Sequence, residues 1–95
     1  MAALRIEWDE AKRASNLRKH RLDFADIAEL IAGHHFMWVD DREDYGEERW
    51  IAIGEIKGRM ARAAIVFRSP EWIRVLSLRR ATRRERALYQ AGFAD

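Results

Sequence analysis

The chain has 95 residues, 48% of them hydrophobic and 36% charged, no cysteine, and a formal net charge of +2. This length makes one domain, residues 1–95, with a modest core; the absence of cysteine excludes disulfides and thiolate metal sites and suits a reducing cytoplasm. No apolar run nears the roughly 20 residues of a bilayer span, and no signal-peptide core opens the chain, so no membrane role is expected.

Leu4, Ile6 and Trp8 alternate with Arg5 and Glu7, which predicts a short first strand. Asp9 is a good N-cap, with Glu10 in the first turn of a helix that runs to about His20. Asp23 caps a second helix with Phe24, Ile27, Ala28 and Ile31 on one face, ended by Gly33. Residues 36–39 suit a short strand, and an acidic loop with Gly46 follows. Three strands are expected near 49–56, 61–68 and 72–78, with turns at Lys57-Gly58 and Ser69-Pro70. Ala63 to Phe67 is apolar without alternation, the pattern of a central strand. Thr82 with Glu85 three residues later is a capping box, which starts a last helix over about 83–91 that stops at Gly92. The short links imply an antiparallel meander, and the fold class is α+β, with two leading helices and one trailing helix packed mainly on one face.

Charge is unevenly spread. Residues 57–86 hold ten Lys/Arg against two acids, a net +8, while residues 40–48 hold six acids against one Arg, a net −5. Arg79, Arg80, Arg83 and Arg84 crowd the start of the last helix, the positive end of its dipole. Each costs roughly 0.3–1 kcal/mol there at low salt. An anion shared by the guanidinium groups and the free backbone N–H groups would offset that cost, and a nucleic-acid phosphate is the expected one. A solvated, arginine-rich surface is the ordinary alternative.

The residues also fit a known pattern. Trp8-Asp9-Glu10-Ala11-Lys12, Asn16-Leu17-Arg18-Lys19-His20 and Phe24 are joined by Asp41-Arg42-Glu43-Asp44-Tyr45-Gly46-Glu47-Glu48-Arg49-Trp50 and Ile53-Gly54. Ile73-Arg74-Val75-Leu76-Ser77-Leu78-Arg79-Arg80-Ala81, Arg84-Glu85 and Tyr89 complete the set. Together they resemble the BrnT toxins over nearly the whole chain, in order. Arg21 departs from the pattern, because glycine commonly follows Lys-His in that family and would relieve a left-handed helix end. The resemblance implies a RelE-like fold and a type II toxin–antitoxin toxin that cleaves RNA and arrests growth. It also implies a ribbon-helix-helix antitoxin like BrnA, DNA contact only through the toxin–antitoxin complex, and a homodimer or two-plus-two assembly.

RNA can be cut without metal when its own 2′-OH attacks the phosphate, leaving a 2′,3′-cyclic phosphate and a 5′-OH. Such a site needs a proton acceptor, a proton donor and cations at the transition state. Imidazole is the side chain best suited to proton transfer near neutrality, so His20 is the leading acid or base, with Lys19 beside it in the expected catalytic group. His34 and His35 read as loop residues. Arg79 and Arg80 follow the last strand and diverge if it persists; one clamps the scissile phosphate while the other meets an acid such as Glu48. Glu47 and Glu48 are also candidate bases, with pairing to Arg49 the ordinary explanation. Arg74, Arg83 and Arg84 are expected on the RNA backbone, and Tyr89 as an acid, a stacking platform or a half-buried packing residue. Trp8 and Trp50 read as packing between sheet and helices; Trp38 and Trp72 lie near strand ends. Asp40, Asp41 and Asp44 lack a convincing metal spacing, so neither metal nor cofactor is expected. Two other readings stay open: a non-catalytic nucleic-acid-binding or regulatory module using the same basic corner, and an interaction domain whose arginines receive an acidic peptide.

Overall fold

A computed structural model describes residues 4–92. In chain order the elements are β1 (Arg5–Glu7), α1 (Glu10–His20), a 3-10 turn (Phe24–Asp26) running into α2 (Ile27–Ala32), β2 (His35–Asp40), β3 (Arg49–Ile56), β4 (Arg59–Ser69), β5 (Trp72–Arg80) and α3 (Arg83–Gly92). The helix starts follow the local chemistry. The Asp9 carboxylate accepts the Lys12 N–H at 3.0 Å, and that of Asp23 accepts the Ala25 N–H at 3.0 Å. Thr82 and Glu85 close their box in both directions, at 2.9 and 3.2 Å.

Helix α1 ends on Arg21 in the left-handed region (φ 61°), with its N–H returned to the Leu17 carbonyl at 2.9 Å. That conformation costs an L residue roughly 1–2 kcal/mol that glycine would not incur. Gly33, by contrast, leaves α2 in extended backbone (φ −90°, ψ −174°), so its conformational freedom is not what ends the helix. Gly92 lies inside the last turn of α3 instead of beyond it.

The five strands form one sheet in the order β1-β5-β4-β3-β2. β4 is central, as its apolar run implied. The sheet is antiparallel except for β1, which pairs with β5 in parallel, Ile6 opposite Ile73 and Glu7 opposite Arg74. A pure meander is therefore corrected at this edge. Alternation in β1 dictates that Ile6 faces the core, but it carries no information about strand direction.

One face of the sheet holds the core. Ala52, Ile56, Ala61, Ala63, Ile65, Ile73, Val75 and Leu78 pack there against Phe24, Ile27 and Leu30. Trp8 and Trp50 pack at its rim. The other face carries Ile53, Arg62 and Arg79 in one row and Ile51, Ala64 and Ser77 in the next, by the strand register. α3 lies on this second face, where Gly92 abuts Phe36, the cross-strand partner of Ile53. Helices thus cover both faces, which corrects the expectation of one. Two contacts hold α3 there: Arg79, on the second face, binds Glu85 in the first turn, and Gly92 in the last turn sits against Phe36.

A bulge sets that arrangement. Ala64 pairs with Ser77 but Ile65 pairs with Val75, leaving Leu76 as an extra residue in β5. Beyond it the alternation reverses, so Leu78 and Arg80 turn to the core side and Arg79 to the other.

Candidate functional site along the β5 edge

β1 covers β5 only from Trp72 to Arg74, so the rest of that strand presents a bare edge. α1 lies along it. Asn16, buried at 7% exposure, inserts its amide there: Leu78 donates its N–H to Oδ1 at 3.1 Å, while Nδ2 donates to the carbonyls of Leu78 (2.8 Å) and Leu22 (3.0 Å). One side chain thus satisfies both edge groups of Leu78 and fixes the end of α1.

This contact opens a cleft of about 230 Å³ between helix and strand, lined by Lys12, Ser15, Asn16, Lys19, His20, Leu76 and Ser77. Lys12, Lys19 and His20 lie on its helical side, and no acid is among its lining residues. Ser77 belongs both to this cleft and to the second sheet face, two residues before Arg79. Two strand residues span roughly 7 Å, which is the separation along β5 between Ser77 and the Arg62–Arg79 row.

Arg79 donates to both carboxylate oxygens of Glu85 at 2.8 Å, and its Nη1 also to the Arg80 carbonyl at 3.0 Å. Its side chain is 31% exposed. A guanidinium has five N–H donors, so part of Arg79 stays available to a ligand. Glu85 is held at a pKa of about 2 by the Arg79 hydrogen bonds first, against its burial, with help from the Thr82 N–H and the nearby charge of Arg62. Arg62 stands opposite Arg79 in the ladder, its Nε 3.7 Å from Glu85. Burial, and then the Arg79 charge, push its pKa down. Arg62 was not singled out from the sequence, although a lone charge between Ala61 and Ala63 in an apolar strand was the available signal.

The other candidates divide among separate places. Arg80 turns away from Arg79 to a pocket with Arg21, Lys57 and Arg59 on the core-side end of the sheet. The acid that meets Arg79 is Glu85 and not Glu48, which accepts the Trp50 indole N–H at 3.1 Å. Glu48 precedes β3 at the far end of the ladder, about five positions or roughly 16 Å along the strands from the Arg79 row. The four arginines therefore do not converge on one anion: Arg79 is already paired and Arg80 is on the opposite face. Arg74 shares the second face but lies 3.5 Å from Glu7. Arg83 lines a groove of about 280 Å³ with Tyr89, Met60 and Arg86, and Arg84 is exposed. The Tyr89 hydroxyl donates to the His34 carbonyl at 3.4 Å, which ties α3 to the residue before β2.

The acidic loop after β2 anchors through its first residue. Asp40 accepts from Arg42 (2.6 and 2.7 Å) and from the Tyr45 hydroxyl (3.1 Å), and Arg42 in the lead holds its carboxyl well below the usual range. The Arg49 guanidinium lies over the Tyr45 ring at 4.1 Å. No helix among the described residues is long and apolar enough to cross a membrane.

A family model described as "Ribonuclease toxin, BrnT, of type II toxin-antitoxin system" matches residues 8–85. Among solved structures, the chain is similar to the ribonuclease toxin BrnT of Brucella abortus, known from a crystal structure at 1.1 Å resolution. The two share 32% identity over 85% of this chain and all of that one, with a TM-score of 0.65. No curated protein matches.

Proposed function

The chain belongs to the BrnT family of ribonuclease toxins of type II toxin–antitoxin systems, and from that premise we propose that it is a metal-independent endoribonuclease whose reaction centre is the β5-edge cleft. The observation that carries this reading is the cleft of Lys12, Lys19 and His20 with no acid in its lining, which shares Ser77 with the sheet face that bears Arg62 and Arg79. A phosphodiester seated at Ser77 would be approached by the His20 imidazole from the cleft and by the Arg62 and Arg79 guanidinium groups from the sheet face.

The 2′-oxygen attacks phosphorus and gives up its proton, the P–O5′ bond breaks, and the departing 5′ oxygen takes a proton. His20 serves one of the two transfers, and Lys19 adds positive charge beside it. Arg79 and Arg62 stabilise the extra charge on the phosphorane-like transition state. Glu85 fixes Arg79 from the side away from the ligand. Arg80 and Arg74 extend the contact to flanking phosphates, with Arg83 and Arg84 beyond them on α3. The family resemblance further implies a RelE-like fold.

The family implies an antitoxin partner. A ribbon-helix-helix antitoxin of the BrnA kind would neutralise the toxin by covering the cleft, contact operator DNA on behalf of the complex, and assemble with it two-plus-two. α3 supports a docking role, since none of its residues is buried and Leu88 is 41% exposed.

The test is RNA cleavage by the purified chain in EDTA, with and without ribosomes, and analysis of the product ends. Fragments ending in 2′,3′-cyclic phosphate are expected. Arg79→Ala should lower the rate by about 10²–10³ and His20→Ala by about 10²–10⁴. Full activity in the double variant removes the cleft from the mechanism; absence of cutting under every condition leaves a binding module.

A further inference from the structure

The core-side end of the sheet carries a second concentration of positive charge. Where α1 ends, the β3–β4 turn and the last residue of β5 enclose a pocket of about 180 Å³, lined by Arg21, Leu22, Asp26, Ile56, Lys57, Arg59 and Arg80. Four cations face one acid. Lys57 reaches that acid, Asp26, at 3.7 Å, while Arg21, Arg59 and Arg80 have no ion-pair partner among the described residues.

The backbone marks the same place. Among the described residues two that are not glycine have positive φ, Arg21 at 61° and Lys57 at 50°, and both line this pocket. Lys57 occupies the first position of a two-residue hairpin turn with positive φ at both central residues, where Asn, Asp or Gly is favoured. Twice, then, the chain accepts a disfavoured conformation at a position that holds a cation, and both cations meet at one pocket. Three of the four cations lack an ion-pair partner among the described residues, and their mutual repulsion is a cost that a bound anion removes.

We propose that this pocket is a second phosphate site, which holds the RNA backbone to one side of the scissile bond. The proposal rests on the ribonuclease reading and extends it. The Arg62–Arg79 row, the Lys12–Lys19–His20 cleft and the Arg21–Lys57–Arg59–Arg80 pocket share residues 76–80 of β5 or their ladder partners, against three acids: Glu85, Asp26 and Glu29, whose carboxylate accepts the Lys57 N–H at 2.7 Å. A polymer with one negative charge per unit fits such a set of cationic places. An acidic protein segment fits it less well, because a protein hot spot needs apolar surface to bury and Ile56 of this pocket is already 2% exposed.

The strain supplies the test. Arg21→Gly with Lys57→Asn removes two cations and places residues suited to positive φ, so the double variant should unfold at a higher temperature than the parent. A single-stranded 2′-O-methyl RNA, which lacks the attacking hydroxyl, reports binding without cleavage. Across a salt series the slope of log K against log salt should fall by about 0.7 per cation removed, about 1.4 for the double variant, with affinity about tenfold weaker near physiological salt. Arg80→Ala, which touches no positive-φ position, should lower the slope by about 0.7. A parent slope retained in both variants overturns the site, and so does retained RNA binding with lost binding to the antitoxin, which would make it a protein contact. Failure of the parent to cut unmodified RNA, with the slopes changing as stated, sinks the ribonuclease reading and leaves the phosphate site standing.

Discussion

Arg79 and Glu85, six residues apart, form a two-pronged ion pair at 2.8 Å on each side, and the same carboxylate accepts the Thr82 N–H that starts α3. One acid therefore ties the helix start, the end of β5 and the orientation of a guanidinium into a unit. It also provides intramolecularly the negative charge that the crowded helix start requires.

Glu85→Gln separates these roles, because glutamine still accepts the Thr82 N–H but carries no charge. The Glu85 pKa is lowered from the ordinary 4.5 to about 2. A depressed carboxyl contributes stability above its unfolded value and loses that contribution as pH falls through the folded one. The parent should therefore lose up to about 3 kcal/mol from this group between pH 4.5 and 2. The variant should lack that component and be less stable at neutral pH by a similar amount. Urea unfolding at a series of pH values decides this; parallel curves for the two proteins would remove Glu85 from the acid response.

Asn16→Ala leaves the Leu78 N–H and C=O without partners at a buried edge. A cost of about 2–4 kcal/mol is expected, together with a loss of cleavage in the fraction still folded, because Lys19 and His20 are no longer held to β5. Thermal unfolding measures the first effect and a rate per folded molecule the second. Normal cleavage by a destabilised variant would mean that α1 is positioned by something else.

Gly54→Ala tests the core-side packing apart from the chemistry. A Cβ there would stand 2.9 Å from the Leu30 Cγ and 3.3 Å from the His34 carbonyl oxygen. Overpacking of about 1–3 kcal/mol should appear in urea unfolding, with the cleavage rate of the folded protein unchanged. No loss of stability would show that α2 shifts freely over β3.

His20→Ala and Lys19→Ala should differ in kind. The first removes a titrating limb from the pH–rate profile, the second lowers the rate without changing the profile's shape. Single-turnover rates over a pH series resolve them, and an unchanged profile in His20→Ala would assign proton transfer elsewhere.

What the sequence determined by itself is local. The Asp9 and Asp23 caps, the Thr82–Glu85 box, the Lys57-Gly58 turn and the apolar run that makes β4 central each depend on residues within a few positions of one another. The family pattern is legible for the same reason, since its motifs are short runs. The tertiary structure decided which side chains meet. Asn16 and Leu78 are 62 residues apart, and nothing near either one announces the other. Arg62 and Arg79 become neighbours only through the β4–β5 register, and β1 takes its parallel direction only once β5 offers an edge. Most decisive is Leu76, the extra residue that reverses the alternation of β5. It sends Arg79 to Glu85 and Arg80 to the opposite pocket, because a period of two holds along a strand only while every residue has a partner across the ladder.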